Sequence, residues 1–260
     1  MADGTLARDA GDYQERAVVP ALQTHFSSVW VNRFAATIPA SIVVVPDGAI
    51  DLQWIAGQWR IAGPDKNPQT ESLPAGAVVV GFRFQPGAAT DWLRVSALEL
   101  CDRRVPLRDI LGSVGATMDV AAERDDAATL DRLEAVLSKS IASKFIASKS
   151  SGSIPQPDRA MREAHRLIAA GVPHGKHVVP WLMNELAMSE RTLRRRFELA
   201  FGYGPKTLDR ILRFQRYLDL TRRRAESSTA RRAAAVGYAD QAHLVRECRR
   251  LALCTPGELE

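Results

Sequence analysis

In the last third of the chain, apolar residues recur at steps of three and four. Leu193 and Phe197 lie four positions apart and therefore share one face of a helix. Ser189 precedes them as a favourable N-cap, because its hydroxyl accepts from a backbone N–H of the first turn. The residues that fall outside the apolar stripe are basic: Arg191, Arg194 and Arg195. This pattern predicts a helix with an apolar back and a basic front, whose simplest interpretation is a solvated surface helix.

The same pattern of residue types returns 51 positions further along the chain. The matching pairs are Ser189 and Asp240, Leu193 and Leu244, Arg195 and Arg246, Pro205 and Pro256, and Leu208 and Leu259. An internal repeat is a stronger signal than one motif alone. Two helix-turn-helix units in one chain place two recognition helices in successive major grooves, about 34 Å apart. The repeat therefore favours DNA binding over a solvated surface helix.

Residues 178–259 resemble the AraC/XylS family of bacterial transcription regulators. The residues that carry the resemblance are Ser189, Arg191, Leu193, Arg195, Phe197, Gly202, Pro205, Gly237, Tyr238, Asp240, His243, Leu244, Arg246 and Pro256. The resemblance implies a helical DNA-binding domain in which one long helix, here residues 207–224, joins two subdomains. It also implies which side chains contact base edges or nearby phosphates: Arg191, Arg194 and Arg195 in the first unit, and Gln241 and Arg246 in the second.

The second unit departs from the family's pattern at three positions. Thr229 and Arg232 are polar where the family has apolar, core-facing residues, and Cys248 is the smaller counterpart of Phe197. We expect this unit to be less tightly packed, or its supporting helix to be rotated. In the first unit the supporting helix is predicted at residues 179–186, and the small side chain of Ala187 in the turn allows the two helices to approach closely.

The N-terminal part has a different periodicity. Residues 18–87 are typical of short strands separated by turns, and the predicted strands are 41–45, 50–54, 59–62 and 77–84. In the second of these, Ile50, Leu52 and Trp54 alternate with Asp51 and Gln53. Several such strands favour a sheet, a sandwich or a small barrel. The polar residues 1–14 are predicted to be a frayed tail and not a signal peptide.

Helical steps return after residue 87. Short helices are predicted near Trp92, from 95 and from 106, the first with Thr90 as its cap. A longer helix follows, with an apolar stripe of Leu130, Leu133, Leu137, Ile141 and Phe145. This stripe either packs within the subunit, which we favour, or forms the seam of a homodimer.

Residues 40–111 also resemble the N-terminal region that a subgroup of these regulators carries. The segments that carry this second resemblance are 46–52, 62–64, 81–88 and 100–107. It implies a cupin-like β-domain for sensing or dimerisation, whose effector is usually unassigned. The expected fold class is therefore α+β: a mainly β, cupin-like domain with added helices at 15–147, a linker at 148–157, and an all-α domain with two helix-turn-helix subdomains at 158–260.

Charge is divided unevenly between these parts. Residues 1–154 hold 15 basic and 18 acidic residues, a balance of −3, whereas residues 155–260 hold 20 and 12, a balance of +8. The C-terminal part therefore has the charge of a polyanion-binding domain. No apolar run approaches the roughly 20 residues of a membrane span. The three cysteines lack the spacing of a zinc site or a disulfide framework, which fits a reducing cytoplasm.

The N-terminal part offers little catalytic chemistry. A metal-binding cupin needs several histidines and a carboxylate, and this half contains only His25. There is no phosphate-binding glycine loop and no nucleophile elbow. We therefore predict no metal, no cofactor and no catalytic residue. Asp51, Arg83 and Trp54 are predicted to meet at a cavity that binds a small polar effector; alternatively, they form a structural ion pair or are unrelated surface residues.

The sequence thus predicts a cytoplasmic regulator that binds double-stranded DNA sequence-specifically and is not an enzyme. Its further expected partners are a small-molecule effector, a second copy of the chain in a homodimer, and RNA polymerase. The alternatives are a cupin-type enzyme with an appended DNA-binding module, and a nucleoid or RNA-binding protein.

Overall fold

A computed structural model describes residues 5–36, 40–121, 129–147, 157–223 and 228–259. The strands are β1 (Thr5–Leu6), β2 (Gly11–Ala17), β3 (Phe26–Phe34), β4 (Ala40–Val44), β5 (Asp51–Ile55), β6 (Gln58–Ala62), β7 (Gln69–Leu73), β8 (Val78–Phe84) and β9 (Arg104–Pro106). The helices are α1 (Ala89–Leu93), α2 (Ala97–Leu100), α3 (Leu107–Leu111), α4 (Ser113–Ala121), α5 (Thr129–Ala147), α6 (Arg159–Ala170), α7 (Val178–Glu185), α8 (Glu190–Phe201), α9 (Pro205–Arg222), α10 (Thr229–Ala235) and α11 (Gln241–Ala252). The protein therefore combines a β-rich N-terminal part with an all-helical C-terminal part, as the sequence predicts.

The strands form two sheets. The larger sheet has six strands in the order β2-β3-β8-β5-β6-β9, and all its neighbours are antiparallel. The smaller sheet has three strands in the order β1-β4-β7, with β1 parallel to β4. In the larger sheet, Asp51 of β5 lies directly opposite Arg83 of β8.

The larger sheet buries its two faces differently, because successive side chains on a strand point to opposite sides. One face packs against helices and includes Leu52, Trp54 and Phe82, each at most 1% exposed. Leu133 and Leu137 of α5 are fully buried in this same cluster. The apolar stripe of α5 thus packs within the subunit at these two positions, while the side chains of Ile141 and Phe145 lie outside the described ones.

The C-terminal helices enclose two apolar clusters that helix α9 joins. The cluster of the first unit contains Leu193, Phe197 and the first half of α9, whereas that of the second contains Leu244, Cys248 and the second half. Six side chains of α9 are buried in these two clusters: Leu208, Ile211, Leu212, Phe214, Tyr217 and Leu218. The expectation of one helix joining two subdomains is met by α9.

Three predictions from the pattern are wrong or lie outside the described residues. Residues 1–14 are not simply a frayed tail, because β1 and most of β2 fall within them. Thr90 lies inside α1 and does not cap it. The expected linker at 148–157 lies outside the described part of the chain except for residue 157. Within the described ranges, no helix is both long enough and apolar enough to cross a membrane.

Gly81 of β8 provides the space for the indole ring of Trp30. The two residues are direct cross-strand partners, and a Cβ atom built on Gly81 would lie 2.1 Å from the Trp30 ring. Trp30 therefore lies flat across a glycine in the centre of the larger sheet. Any larger residue at position 81 must displace the ring.

Gly81→Ala is expected to destabilise the protein by about 1–3 kcal/mol, the usual cost of overpacking. Urea unfolding followed by circular dichroism measures this change. Gly257→Ala is the control, because a Cβ at Gly257 has no neighbour within 4 Å. Equal stabilities of the two variants would contradict the placement of Trp30 over Gly81.

Candidate nucleic-acid interface and ligand cavity

In the first helix-turn-helix unit, helix α8 presents arginines to solvent. The Ser189 hydroxyl accepts from the backbone N–H of Thr192 at 3.3 Å and so begins the helix as predicted. Leu193 and Phe197 are fully buried against α7 and α9, which fixes the rotation of the helix about its axis. The three predicted DNA-contacting residues of this unit are all exposed: Arg191, Arg194 and Arg195.

The second unit repeats this arrangement with a longer turn. Asp240 begins α11 by accepting from the backbone N–H of His243, and Leu244 is fully buried. The backbone N–H of Met188 bonds to Met183 in the first turn, and that of Tyr238 bonds to Ala233 in the second. Ser189 directly follows Met188, whereas one residue separates Tyr238 from Asp240. The second turn therefore contains one additional residue.

Both turns use a left-handed residue at the equivalent position. Ala187 has a φ of +50° and Gly237 a φ of +87°. In that region a small side chain has the lowest steric cost, and glycine has none. A small side chain at Ala187 therefore suits the left-handed backbone conformation as well as the close approach of α7 and α8.

The departures noted in the second unit are accommodated in its core. Cys248 is fully buried at the position that Phe197 occupies in the first unit, and Arg232 is 8% exposed with its guanidinium 3.4 Å from the Thr229 hydroxyl. The predicted DNA-contacting residues Gln241 and Arg246 are both exposed. The looser packing or rotated supporting helix that the sequence suggests for the second unit stays a prediction.

Arg196 has a structural role, unlike its three neighbours. Its guanidinium forms a two-point ion pair with Asp158, the residue whose carboxylate caps α6 through the backbone N–H groups of Ala160 and Met161. This pair joins the recognition helix α8 to α6. Among the described residues, Arg191, Arg195 and Arg246 have no ion-pair partner, and Arg194 lies 4.0 Å from Glu198. Their charge is therefore available to a polyanion.

Polar contacts between the β-rich part and the helical part include three pairs of residues. The Thr90 hydroxyl donates to the carbonyl of Leu199 on α8 at 2.9 Å, and the Gln215 amide of α9 donates to the carbonyl of Pro46 at 2.8 Å. Arg222 at the end of α9 lies 3.4 Å from Asp9. The recognition helix α8 and the joining helix α9 are thus both connected to the N-terminal part.

A cavity of about 330 Å³ lies between the two sheets and reaches α9. Its walls include Trp30, Asn32 and Phe34 of β3, and the helix contributes Gln215, Leu218, Asp219 and Arg222. This volume falls within the range of small-molecule sites. An occupant would touch both sheets and the helix that joins the two DNA-binding units.

The predicted effector residues are only partly brought together. Arg83 Nε lies 3.2 Å from Asp51 Oδ1, and both side chains line the cavity. Trp54 was expected beside them, but this expectation is wrong: its side chain lies on the opposite face of the sheet in the apolar core. The alternation of Asp51 and Trp54 along β5 already requires opposite faces. Trp30 supplies the indole instead, and its Nε1 donates to Asp51 at 3.1 Å.

A second charged cluster closes the other end of the cavity. Arg104 makes paired contacts of 2.8 Å and 2.9 Å with Asp65, and both Arg104 and Arg60 bond to Glu71. Burial raises the pKa of the Asp65 carboxyl to about 6, although Arg104 opposes this shift. Burial likewise raises the pKa of Asp51, against the influence of Arg83.

Sequence reasoning missed several of these residues because they come from distant parts of the chain. Asp47, Arg60, Asp65, Glu71 and Arg104 line the cavity together with Trp30. Arg60 could have been found, because it alternates with the buried Trp59 and Ile61 in a predicted strand. The contribution of α9 has no local signal, since it depends on how the two parts pack. The described residues contain no group of three or more potential metal ligands.

Two family matches cover different parts of the chain. Residues 182–260 match a family described as "Helix-turn-helix domain", and residues 15–106 match one described as "Domain of unknown function". No curated protein matches the chain significantly.

Several solved structures match the chain at low identity. An apo variant of ToxT from Vibrio cholerae is 16% identical, with a TM-score of 0.49 over 94% of this chain and 98% of ToxT. ToxT from Vibrio cholerae with bound unsaturated fatty acid is 15% identical, with a TM-score of 0.43 over 95% and 92% of the two chains. The AraC-like transcriptional activator CuxR is 14% identical, with a TM-score of 0.21 over 82% and 87%.

The two capped helices with exposed basic fronts, together with the matched domain, define a DNA-binding protein of the helix-turn-helix class. Residues 182–260 therefore form a DNA-binding domain of the AraC-type helix-turn-helix kind.

Arg196→Ala is expected to lower the free energy of unfolding by about 1–2 kcal/mol, because the Asp158 carboxylate loses a charged hydrogen-bond partner. Arg195→Ala removes the same charge from an exposed position and should change stability by less than about 0.5 kcal/mol. Urea unfolding measures both. If Arg195→Ala destabilised the protein as much as Arg196→Ala, the division between structural and exposed arginines would be wrong.

Proposed function

We propose that this protein binds a specific operator through α8 and α11 and that a small molecule in the cavity controls this binding. The observation that supports it best is the position of α9. One helix supplies core residues to both helix-turn-helix units and wall residues to the cavity. The chain is proposed to act as a regulator and not as an enzyme.

On the DNA side, the basic fronts of the two units differ. Helix α8 offers Arg191, Arg194 and Arg195, and arginine can bind guanine O6 and N7 through two parallel hydrogen bonds. Helix α11 offers Gln241 and Arg246, where glutamine suits the adenine edge. We expect some of the three arginines of α8 to contact phosphate only, since most protein–DNA hydrogen bonds are made to the backbone.

The proposed control is a shift in conformational populations. Gln215 and Arg222 of α9 line the cavity and also contact the N-terminal part, so a ligand that changes the cavity wall changes how α9 is held. Only a ligand that binds one arrangement more tightly can shift the balance between arrangements. Activation and repression are both compatible with this scheme, and a homodimer and contact with RNA polymerase stay predictions.

Arg195→Ala is expected to weaken binding to the selected operator by about 1–3 kcal/mol, the value of one two-point arginine–guanine contact. The operator is first obtained by selection from random duplexes with the full-length protein. Fluorescence anisotropy at fixed salt then gives the affinity for operator and for random DNA.

The control is Arg108→Ala, which removes one exposed positive charge from α3. It should leave both affinities nearly unchanged. An equal loss for operator and random DNA with Arg195→Ala would make Arg195 a phosphate contact and refute its role in base recognition. A wild-type preference for operator far below about a thousandfold would refute the proposed specific regulator.

A further inference from the structure

The charges that line the interior of the cavity do not cancel at Arg83. Its single guanidinium contacts two carboxylates, with Nη2 at 2.5 Å from Asp47 and Nε at 3.2 Å from Asp51. At the other end of the cavity, two guanidiniums, of Arg60 and Arg104, face two carboxylates. The local charge beside Arg83 is therefore negative, although the whole lining holds five arginines and five carboxylates.

The hydrogen-bonding groups beside Arg83 indicate which kind of ligand group this part of the cavity would bind. Asn32 lines the cavity and is 3% exposed; its amide N–H donates to the carbonyl of Ala7 at 2.7 Å. Its Oδ1 accepts no hydrogen bond from any described residue, but it is buried beside Gly11 and does not open on the cavity. The acceptors that line the cavity beside Arg83 are those of the carboxylates of Asp47 and Asp51. A ligand group that donates hydrogen bonds and accepts none matches these acceptors. An ammonium is such a group, because it has three donors and no acceptor.

The walls between these acceptors are aromatic and apolar. Trp30 and Tyr13 stack with their ring centroids 5.9 Å apart, and both line the cavity. Aromatic faces stabilise a nearby cation. The Tyr13 ring already contacts the exposed Arg8 guanidinium at 4.6 Å, and the Trp30 ring lies against Gly81 and Tyr13. The two rings therefore supply apolar wall beside the carboxylates. The remaining apolar lining includes Leu6, Phe34, Ile42, Val43, Val79 and Leu218.

We propose that the effector of this cavity is a small primary amine with an apolar body, whose ammonium group binds Asp47 and Asp51. This inference rests on the proposed function, in which the cavity is the effector site. A carboxylate ligand is disfavoured there because each interior guanidinium already contacts a carboxylate of the protein. The Arg8 guanidinium, at the exposed edge, is the alternative point of attachment for an anion.

Asp47 connects such a ligand to α9. It lies in the turn 46–48, and the Pro46 carbonyl of this turn accepts from Gln215 of α9. Gly48, with a φ of +81°, packs against α9 so closely that a Cβ there would lie 3.0 Å from Leu208. A second cavity, of about 260 Å³, also shares Asp47 and Arg83 and is lined by Phe201 of α8. A group bound at Asp47 thus acts on the turn that contacts the helix joining both DNA-binding units.

The test compares three probes of the same shape and different head groups. Isothermal titration calorimetry at pH 7 with the full-length protein measures 2-phenylethylamine, 3-phenylpropionate and 2-phenylethanol. The amine is expected to bind at least tenfold more tightly than either of the others. The same amine should change the affinity for the selected operator, whereas the alcohol at equal concentration should not.

Two variants locate the ammonium site. Asp47→Asn and Asp51→Asn each remove one carboxylate and are expected to weaken amine binding at least tenfold. Asp47 is the safer variant, because its side chain is 35% exposed and the buried pair of Asp51 and Arg83 stays intact. Asp109→Asn removes an exposed carboxylate of α3 and should leave amine binding unchanged. Circular dichroism melting of each variant checks that it is folded.

The outcomes separate this inference from the proposed function. If 3-phenylpropionate binds as tightly as the amine or more tightly, and the cavity variants alter its binding, the cavity is an effector site but the amine class is wrong. If none of the three probes binds, both the amine class and the effector role of the cavity are overturned. Specific operator binding, measured without any probe, tests the DNA-binding role independently of both.

Discussion

The burial of helix α9 is the constraint on which the rest of the structure depends. Leu208 and Ile211 are fully buried in the first unit's core, and Phe214 and Tyr217 in the second's. Burying each such side chain contributes about 1.5–3 kcal/mol. Two cores that share a helix cannot move independently without exposing apolar surface. The relative placement of α8 and α11 is therefore set largely by α9, and what contacts its outer face can influence both.

The cavity follows from the alternation of side chains in the larger sheet. Leu52, Trp54 and Phe82 fill the core on one face, so Asp51, Gln53 and Arg83 must point to the other. Charged side chains buried there are costly unless they are paired, and the arginines and carboxylates of the two clusters meet this requirement. A cavity with internally paired charge at one end and excess carboxylate at the other discriminates between ligands by their charge.

Much of this could be predicted from the sequence, and the exceptions have physical reasons. Helices α8 and α9 were predictable because their apolar residues recur at helical steps, and strands β5, β6 and β8 because their residue types are typical of strands. Strands β1 and β2 were missed because their residues are polar and mostly exposed, so no buried face leaves a pattern. The pairing of Asp51 with Arg83 was predicted, whereas the partners Asp47, Asp65 and Glu71 come from turns and edge strands. The 51-residue repeat does not reveal the additional residue in the second turn. Helices α8 and α11 begin 51 positions apart, whereas the equivalent turn residues Ala187 and Gly237 are 50 positions apart.

Hydroxyl-radical footprinting of the selected operator tests the central claim most directly, namely that α9 holds two recognition helices for simultaneous contact with one face of DNA. The account predicts two protected segments about 10 base pairs apart on the same face. Inserting about five base pairs, half a helical turn, between them should reduce the affinity to that of a single half-site. A footprint confined to one segment, with an affinity that the insertion does not change, would contradict it.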